Sequence, residues 1–151
     1  MENRPVRVVL VDDHELVIEG LKAMLARFAG RVRIVGQAAS AEDALPVVTA
    51  LAPDVVLCDV RLRGSSGLDL CRQLIDAAPG SRVVLLSVYD DEQYLYQALR
   101  AGAAGYLLKR VGGEELARSL EQVRSGETVV DPVLAARAAT AAARSETPSL
   151  R

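Results

Sequence analysis

Three carboxylates and one lysine each stand at the downstream end of a short apolar run: Asp12 and Asp13 after VRVVLV, Asp59 after DVVLC, and Lys109 after AAGYLL. Apolar runs of this length, separated by helical patterns, read as buried parallel strands, and such sheets hold their sites at the strands' carboxyl ends. The four groups are therefore expected to converge in space although they lie far apart in sequence. Three clustered acids stay ionised only beside a cation, which points to a hard metal ion with oxygen ligands and a lysine close by. Ser87 ends a further run, RVVLLS. A hydroxyl and an ammonium aimed at the same pocket suit an anion formed there, each donating a hydrogen bond to phosphoryl oxygens.

The elements that must position these groups follow from periodicity. Strands are expected near Val6 to Val11, Val32 to Gly36, Val55 to Cys58, Val83 to Ser87 and Gly105 to Leu108. Between them Leu16, Gly20, Leu21, Met24, Leu25 and Phe28 recur at helical spacing, as do Leu68, Cys71, Leu74 and Ile75, and then Leu95, Ala98 and Leu99. Those stripes should pack on the sheet. Ser40 with Asp43 reads as a capping box for the second helix, and Pro46, inside that helix, predicts a kink or an early break. A fifth helix should start after Gly112-Gly113, carry Leu116, Leu120 and Val123, and end near Gly126. The globular unit thus spans residues 1–127. Residues 128–151 follow as a linker: Asp131-Pro132 reads as an N-cap with proline at the first helical position, VLAARAATAAARSE as a solvated helix, with a dimerisation helix as the alternative, and the segment from about Ser145 as a disordered tail.

Composition narrows the class. The chain has 151 residues, half of them hydrophobic, and a formal net charge of −2, which suits one compact core and offers no basic face for nucleic acid. No run approaches 18 apolar residues, and the start MENRPVRVV is too short and polar for a signal peptide, so a cytoplasmic protein with no membrane contact is expected. Cys58 and Cys71 lack metal-ligand spacing and read as buried small hydrophobes. His14 reads as a helix-start residue facing solvent. Tyr89, Tyr94 and Tyr96 lie on or before the fourth helix and could form a partner surface. The turn at Asp12-Asp13 has no glycine-rich loop, and two adjacent acids would repel a phosphate, which argues against a flavodoxin-type cofactor site.

The segments VLVDDHELVIEGL, DVVLCDVRL and VVLLSVYDDEQYLYQALRAGAAGYLLKR resemble the receiver domain of bacterial two-component response regulators, as do the 28 residues from Asp59 to Ser87 and the 22 from there to Lys109. VDDH with ALRAGAAGYLLK is similar to the NarL/FixJ type, whose receiver normally precedes a LuxR-type helix-turn-helix. The resemblance implies a flavodoxin-like (CheY-like) α/β fold with a five-stranded parallel sheet in the order 2-1-3-4-5, plus the C-terminal linker helix. It implies that Asp59 accepts a phosphoryl group from a histidine of a sensor kinase. It also implies that Asp13, Asp59 and the backbone carbonyl of Arg61 bind Mg²⁺, with Asp12 acting mainly through a metal-bound water. Ser87 and Lys109 would then bind the new phosphoryl oxygens, and Tyr106 would turn inward from solvent, a two-state switch. DNA would be reached only through a helix-turn-helix not present in this chain, and a homodimer is compatible with the family.

Two departures from the family pattern stand out. Where many receivers have Met-Pro two to four residues past the acceptor, this chain has Leu62-Arg63, and Arg110 rather than proline follows Lys109. A trans bond is therefore expected at Lys109-Arg110. Arg61, Arg63 and Arg110 are expected to offset the acidic pocket and weaken Mg²⁺ binding. A signalling domain rather than an enzyme is the leading reading, with self-phosphorylation and self-dephosphorylation its only chemistry. An aspartate-nucleophile phosphatase would need a second acid where Arg61 stands. An unphosphorylated pseudo-receiver serving as a dimerisation or docking module is the alternative.

Overall fold

The computed structural model describes residues 4–88 and 92–146, the last six by their backbone alone. Tyr89 and the tail beyond residue 146 lie outside the described residues. Strands β1 (Val6–Val11), β2 (Val32–Ala38), β3 (Val55–Asp59), β6 (Arg82–Ser87), β7 (Gly105–Leu108) and β8 (Val129–Val130) form one sheet in the order β2-β1-β3-β6-β7-β8. All neighbours in it run parallel. The first five positions are the expected order 2-1-3-4-5. The sixth is an addition: Val129 and Val130 pair with Gly105 and Tyr106, extending the sheet beyond the predicted edge. Two residues are too short a run to announce a strand by alternation. A two-residue antiparallel ribbon, β4 (Arg61–Leu62) with β5 (Ser65–Ser66), closes over the loop after Asp59 through Gly64 at φ 75.

Helices α1 (Glu15–Ala26) and α5 (Gly113–Arg124) cover one face of the sheet; α2 (Ala41–Leu51), α3 (Gly67–Ala77), α4 (Glu92–Arg100) and α6 (Pro132–Glu146) cover the other. The strands alternate between the two layers: Val8 and Leu10 meet Ile18, Leu21, Leu25, Leu116 and Leu120, whereas Val9 and Val11 share a core with Ala44, Val48, Leu70 and Leu74. Burial on both faces is why the strands read as continuous apolar runs. Cys58 and Cys71 lie in the second core, and burial pushes the Cys71 thiol up to about 11 and Cys58 well above the ordinary thiol value. Neither is poised as a thiolate at neutral pH.

Several expectations need correction. No break occurs at Pro46: one helix runs through Ala41–Leu51, capped by the Ser40 hydroxyl accepting from Asp43 N–H. Proline there costs one bond to the Glu42 carbonyl, while Ala44 and Val48 remain buried on either side of it. Leu16 and Gly20 are exposed, Leu16 at 87 %. The buried face is Ile18, Leu21 and Leu25, and Leu16 lies about 200° around the helix from Ile18. Helix α6 is not merely solvated. Leu134 is fully buried, the Tyr96 hydroxyl donates to the Ala138 carbonyl at 3.3 Å, and Arg137 pairs with Glu92 at 3.3 Å.

Candidate phosphoryl-acceptor site

Each site residue sits where a strand runs out. Asp12 follows β1, its N–H held by the Ala38 carbonyl of β2, and Asp59 closes β3. Register places Asp59 opposite Leu86, so Ser87 lies one step further along β6, paired with Leu108, and Lys109 follows at the end of β7. The Lys109 N–H donates to the Ser87 carbonyl at 2.8 Å, tying the two strand ends together. Asp12 and Asp59 are 4 % and 7 % exposed and Ser87 is fully buried. Such burial is costly for ionised groups unless they are paired.

Pairing is supplied from β7. The Lys109 ammonium lies 3.2 Å from Asp12 Oδ2 and 3.3 Å from Asp59 Oδ2. The Arg61 N–H donates to Asp59 Oδ1 at 3.3 Å and the Arg63 N–H to Asp13 Oδ2 at 2.9 Å. Burial raises the Asp59 carboxyl above the ordinary value; the Asp12 charge adds to this, while Lys109 and the Arg61 N–H oppose it without cancelling it. For Lys109, burial works to lower the ammonium's pKa, but the charges of Asp59 and Asp12 and their hydrogen bonds outweigh it, and the net direction is up. Lys109 is thus a firmly charged cation beside a carboxylate that burial makes reluctant to ionise.

One oxygen from each of Asp12, Asp13 and Asp59 and one ring nitrogen of His14 lie within 4.8 Å of one another. Asp13 Oδ1 is buried and accepts no hydrogen bond. His14 Nδ1 lies 3.0 Å from it, in a geometry that pairs charges only when the ring is protonated. An orphaned carboxylate oxygen beside two further carboxylates fits a hard divalent cation.

Other residues were placed differently by sequence. His14 is largely exposed, as expected, but its Nδ1 also reaches Asp12 Oδ1 at 3.1 Å, a contact that its position beside the two acids could have suggested. Tyr106 does not face solvent. It is fully buried in the core shared with Leu95, Val130 and Leu134, because β8 and α6 close over it. Of the three arginines, Arg63 approaches Asp13 at 3.9 Å, but the Arg110 guanidinium is 3.9 Å from Asp131 and makes its ion pair there. Among the described residues no peptide bond is cis, including that at Lys109-Arg110. Sequence reasoning missed Gly67, whose N–H donates to the Val60 carbonyl. A methyl group there would strike the Asp59 backbone carbonyl far inside van der Waals contact.

The chain as a whole has relatives among known proteins. The chain is 39 % identical over 130 residues to the response regulator GacA of Pseudomonas aeruginosa, covering 86 % of this chain and 60 % of that protein. It is 40 % identical over 126 residues to the DNA-binding transcriptional activator DevR/DosR of Mycobacterium tuberculosis, covering 83 % and 58 %. The chain therefore spans about three-fifths of the length of these relatives. Among solved structures, the signal receiver domain of the response regulator NarL from M. tuberculosis matches with a TM-score of 0.77 at 36 % identity, over 82 % of this chain and 99 % of that one. A LuxR-family two-component response regulator from Aurantimonas matches at 0.86 and 28 % identity, over 92 % and 99 %. The family model of the response regulator receiver domain matches residues 8–121, a stretch that contains Asp12, Asp13, Asp59, Ser87 and Lys109, and the chain belongs to that family.

Proposed function

We propose that this domain accepts a phosphoryl group on Asp59 from a phosphohistidine of a partner kinase and passes on the resulting change of shape to a DNA-binding output carried outside the matched region. The observation that carries this reading is the Lys109 ammonium held between Asp12 and Asp59. A cation fixed at a carboxylate before any phosphate arrives is preorganised for the charge that transfer brings. An Asp59 carboxylate oxygen attacks phosphorus in line. The P–N bond to the donor imidazole breaks, and its electron pair leaves with the imidazole. Ser87 and Lys109 then donate hydrogen bonds to the phosphoryl oxygens, which hold the group and favour the switched state. Asp12, Asp13, Asp59 and the Arg61 carbonyl would hold Mg²⁺, which supplies neutralisation of the charge shared by phosphoryl group and carboxylates. The domain is a signalling module, and its only chemistry is gaining and losing this group.

Incubation with Mg²⁺ and a small acyl phosphate, followed by intact-mass measurement, tests the reading. One phosphoryl mass is expected on the native chain and none on Asp59→Asn. The alternative, a docking module that is never phosphorylated, has one observation on its side: Arg63 covers Asp13 through its N–H at 2.9 Å and its side chain at 3.9 Å. A native chain that gains no mass would favour it.

A further inference from the structure

The loop after Asp59 holds two of the three acids through main-chain groups. The Arg61 N–H donates to Asp59 Oδ1 at 3.3 Å and, two residues further on, the Arg63 N–H donates to Asp13 Oδ2 at 2.9 Å. Alternate N–H groups of an extended chain point to the same side, so one short strand reaches both carboxylates. Leu62, between them, is buried in the core that holds Val60 and Leu70, and β4 is paired to β5 through Arg61 with Ser66 and Leu62 with Ser65. The two donors are thus fixed from behind.

The two oxygens of Asp13 are consequently in different circumstances. Oδ2 is taken by the Arg63 N–H. Oδ1 is buried, accepts no hydrogen bond, and lies 3.0 Å from His14 Nδ1, which is itself 3.1 Å from Asp12 Oδ1. A carboxylate free to rotate would present either oxygen; held at Oδ2, it keeps Oδ1 on the side of its neighbouring acids. The Arg63 side chain adds little to this hold. It is 87 % exposed and its Nε comes no nearer to Asp13 Oδ2 than 3.9 Å, so water and salt screen its charge.

We infer that Arg63 is a positioning residue for the cation, that it acts on Asp13 through its main-chain N–H, and that its guanidinium is dispensable. This rests on the acidic cluster being the Mg²⁺ site. A donor that orients a ligating carboxylate in advance spares the cost of ordering it on binding. The same contact read as a mere cover has the opposite consequence: the N–H would have to be displaced before a cation entered, and removing it would tighten binding.

Proline removes this N–H and suits the turn. Leu62 to Ser65 is a two-residue hairpin connection with Gly64 at φ 75, and among the described non-glycine residues only Ala52 has a positive φ, so Arg63 does not. A turn with glycine in that conformation at its third position commonly has proline at the second. Mg²⁺ titrations at fixed ionic strength, followed by amide NMR, compare the native chain with Arg63→Ala and Arg63→Pro. Arg63→Ala keeps the N–H and should stay within about 3-fold of the native affinity. Arg63→Pro should bind about 10-fold more weakly than Arg63→Ala, with an unfolding midpoint no lower. Equal affinities in the two variants, or tighter binding by Arg63→Pro, overturn the inference and leave the Mg²⁺ site standing. A native chain whose spectrum does not respond to Mg²⁺ removes the site and the positioning role together. Should Arg63→Pro unfold earlier than Arg63→Ala, hydrogen exchange without divalent metal decides: the native Arg63 amide should exchange about 10-fold more slowly than in Asp13→Ala, and equal exchange overturns the inference.

Discussion

At the scale of single residues the site is a contest of charges. Asp59 is pushed up by burial and by Asp12, and Lys109 is the main group pulling it down. Lys109→Met removes that pull and leaves only the Arg61 N–H, so the Asp59 carboxyl should titrate at higher pH than in the native chain. Carbon-13 NMR of the Asp59 carboxyl, in the absence of divalent metal, reads this directly; a titration midpoint that stays put would show that Lys109 does not tune the acceptor. The sign carries over to stability. A carboxyl raised in the folded state binds its proton more tightly there than when unfolded, so its penalty is absent below the unfolded pKa and grows as pH rises through the folded one. The variant should therefore lose stability over a window reaching higher pH. Phosphorylation needs the ionised carboxylate, so its acid limb should move upward together with the titration.

At the scale of elements, the site depends on how closely β3 and α3 approach. Gly67 opens α3 directly against the backbone of Asp59 and Val60, and a Cβ there meets main chain, which cannot swing aside as a side chain would. Gly67→Ala should cost about 1–3 kcal/mol in denaturant unfolding, the usual range for overpacking. It should slow phosphorylation as well, because the atom struck belongs to the proposed acceptor; a variant as stable and as reactive as the native chain would show that the loop yields freely. The central strands were legible because two-sided burial writes them as unbroken apolar runs, and the strand-end groups Asp12, Asp13, Asp59, Ser87 and Lys109 were legible with them. What sequence misread lay where tertiary contacts decide. Pro46 sits in a helix whose packing tolerates one lost bond. Tyr106 is covered by a strand of two residues, and Arg110 is turned toward Asp131 by a cap 21 positions along the chain. No local pattern encodes contacts of that kind. In α6, one buried leucine among alanines carries almost no periodic signal.

At the scale of the whole molecule, the acidic cluster is a cost that the fold bears. Folding gathers Asp12, Asp13 and Asp59 within a few ångströms of each other, with Lys109 between Asp12 and Asp59, and leaves Asp13 Oδ1 buried without a hydrogen bond. The unfolded chain disperses these charges, so the apo protein should be less stable than its core alone would make it, a trade common at functional sites. Relieving the charge with Asp13→Asn should raise apo stability by about 1 kcal/mol, or roughly 2–4 °C in midpoint for a chain of this size. Mg²⁺ should stabilise the native chain and hardly affect the variant. A cation that binds only the folded state adds about 2.7 kcal/mol at a hundredfold excess over its dissociation constant, so the native midpoint should climb with Mg²⁺ at fixed ionic strength. Asp13→Asn should start higher and stay nearly flat. Thermal unfolding of both proteins across a Mg²⁺ series, with sodium chloride holding ionic strength constant, decides the matter: parallel curves would mean that the cluster is not where Mg²⁺ binds. A native curve that begins below the variant and crosses it as Mg²⁺ rises would show that the same three acids destabilise the empty fold and stabilise the filled one.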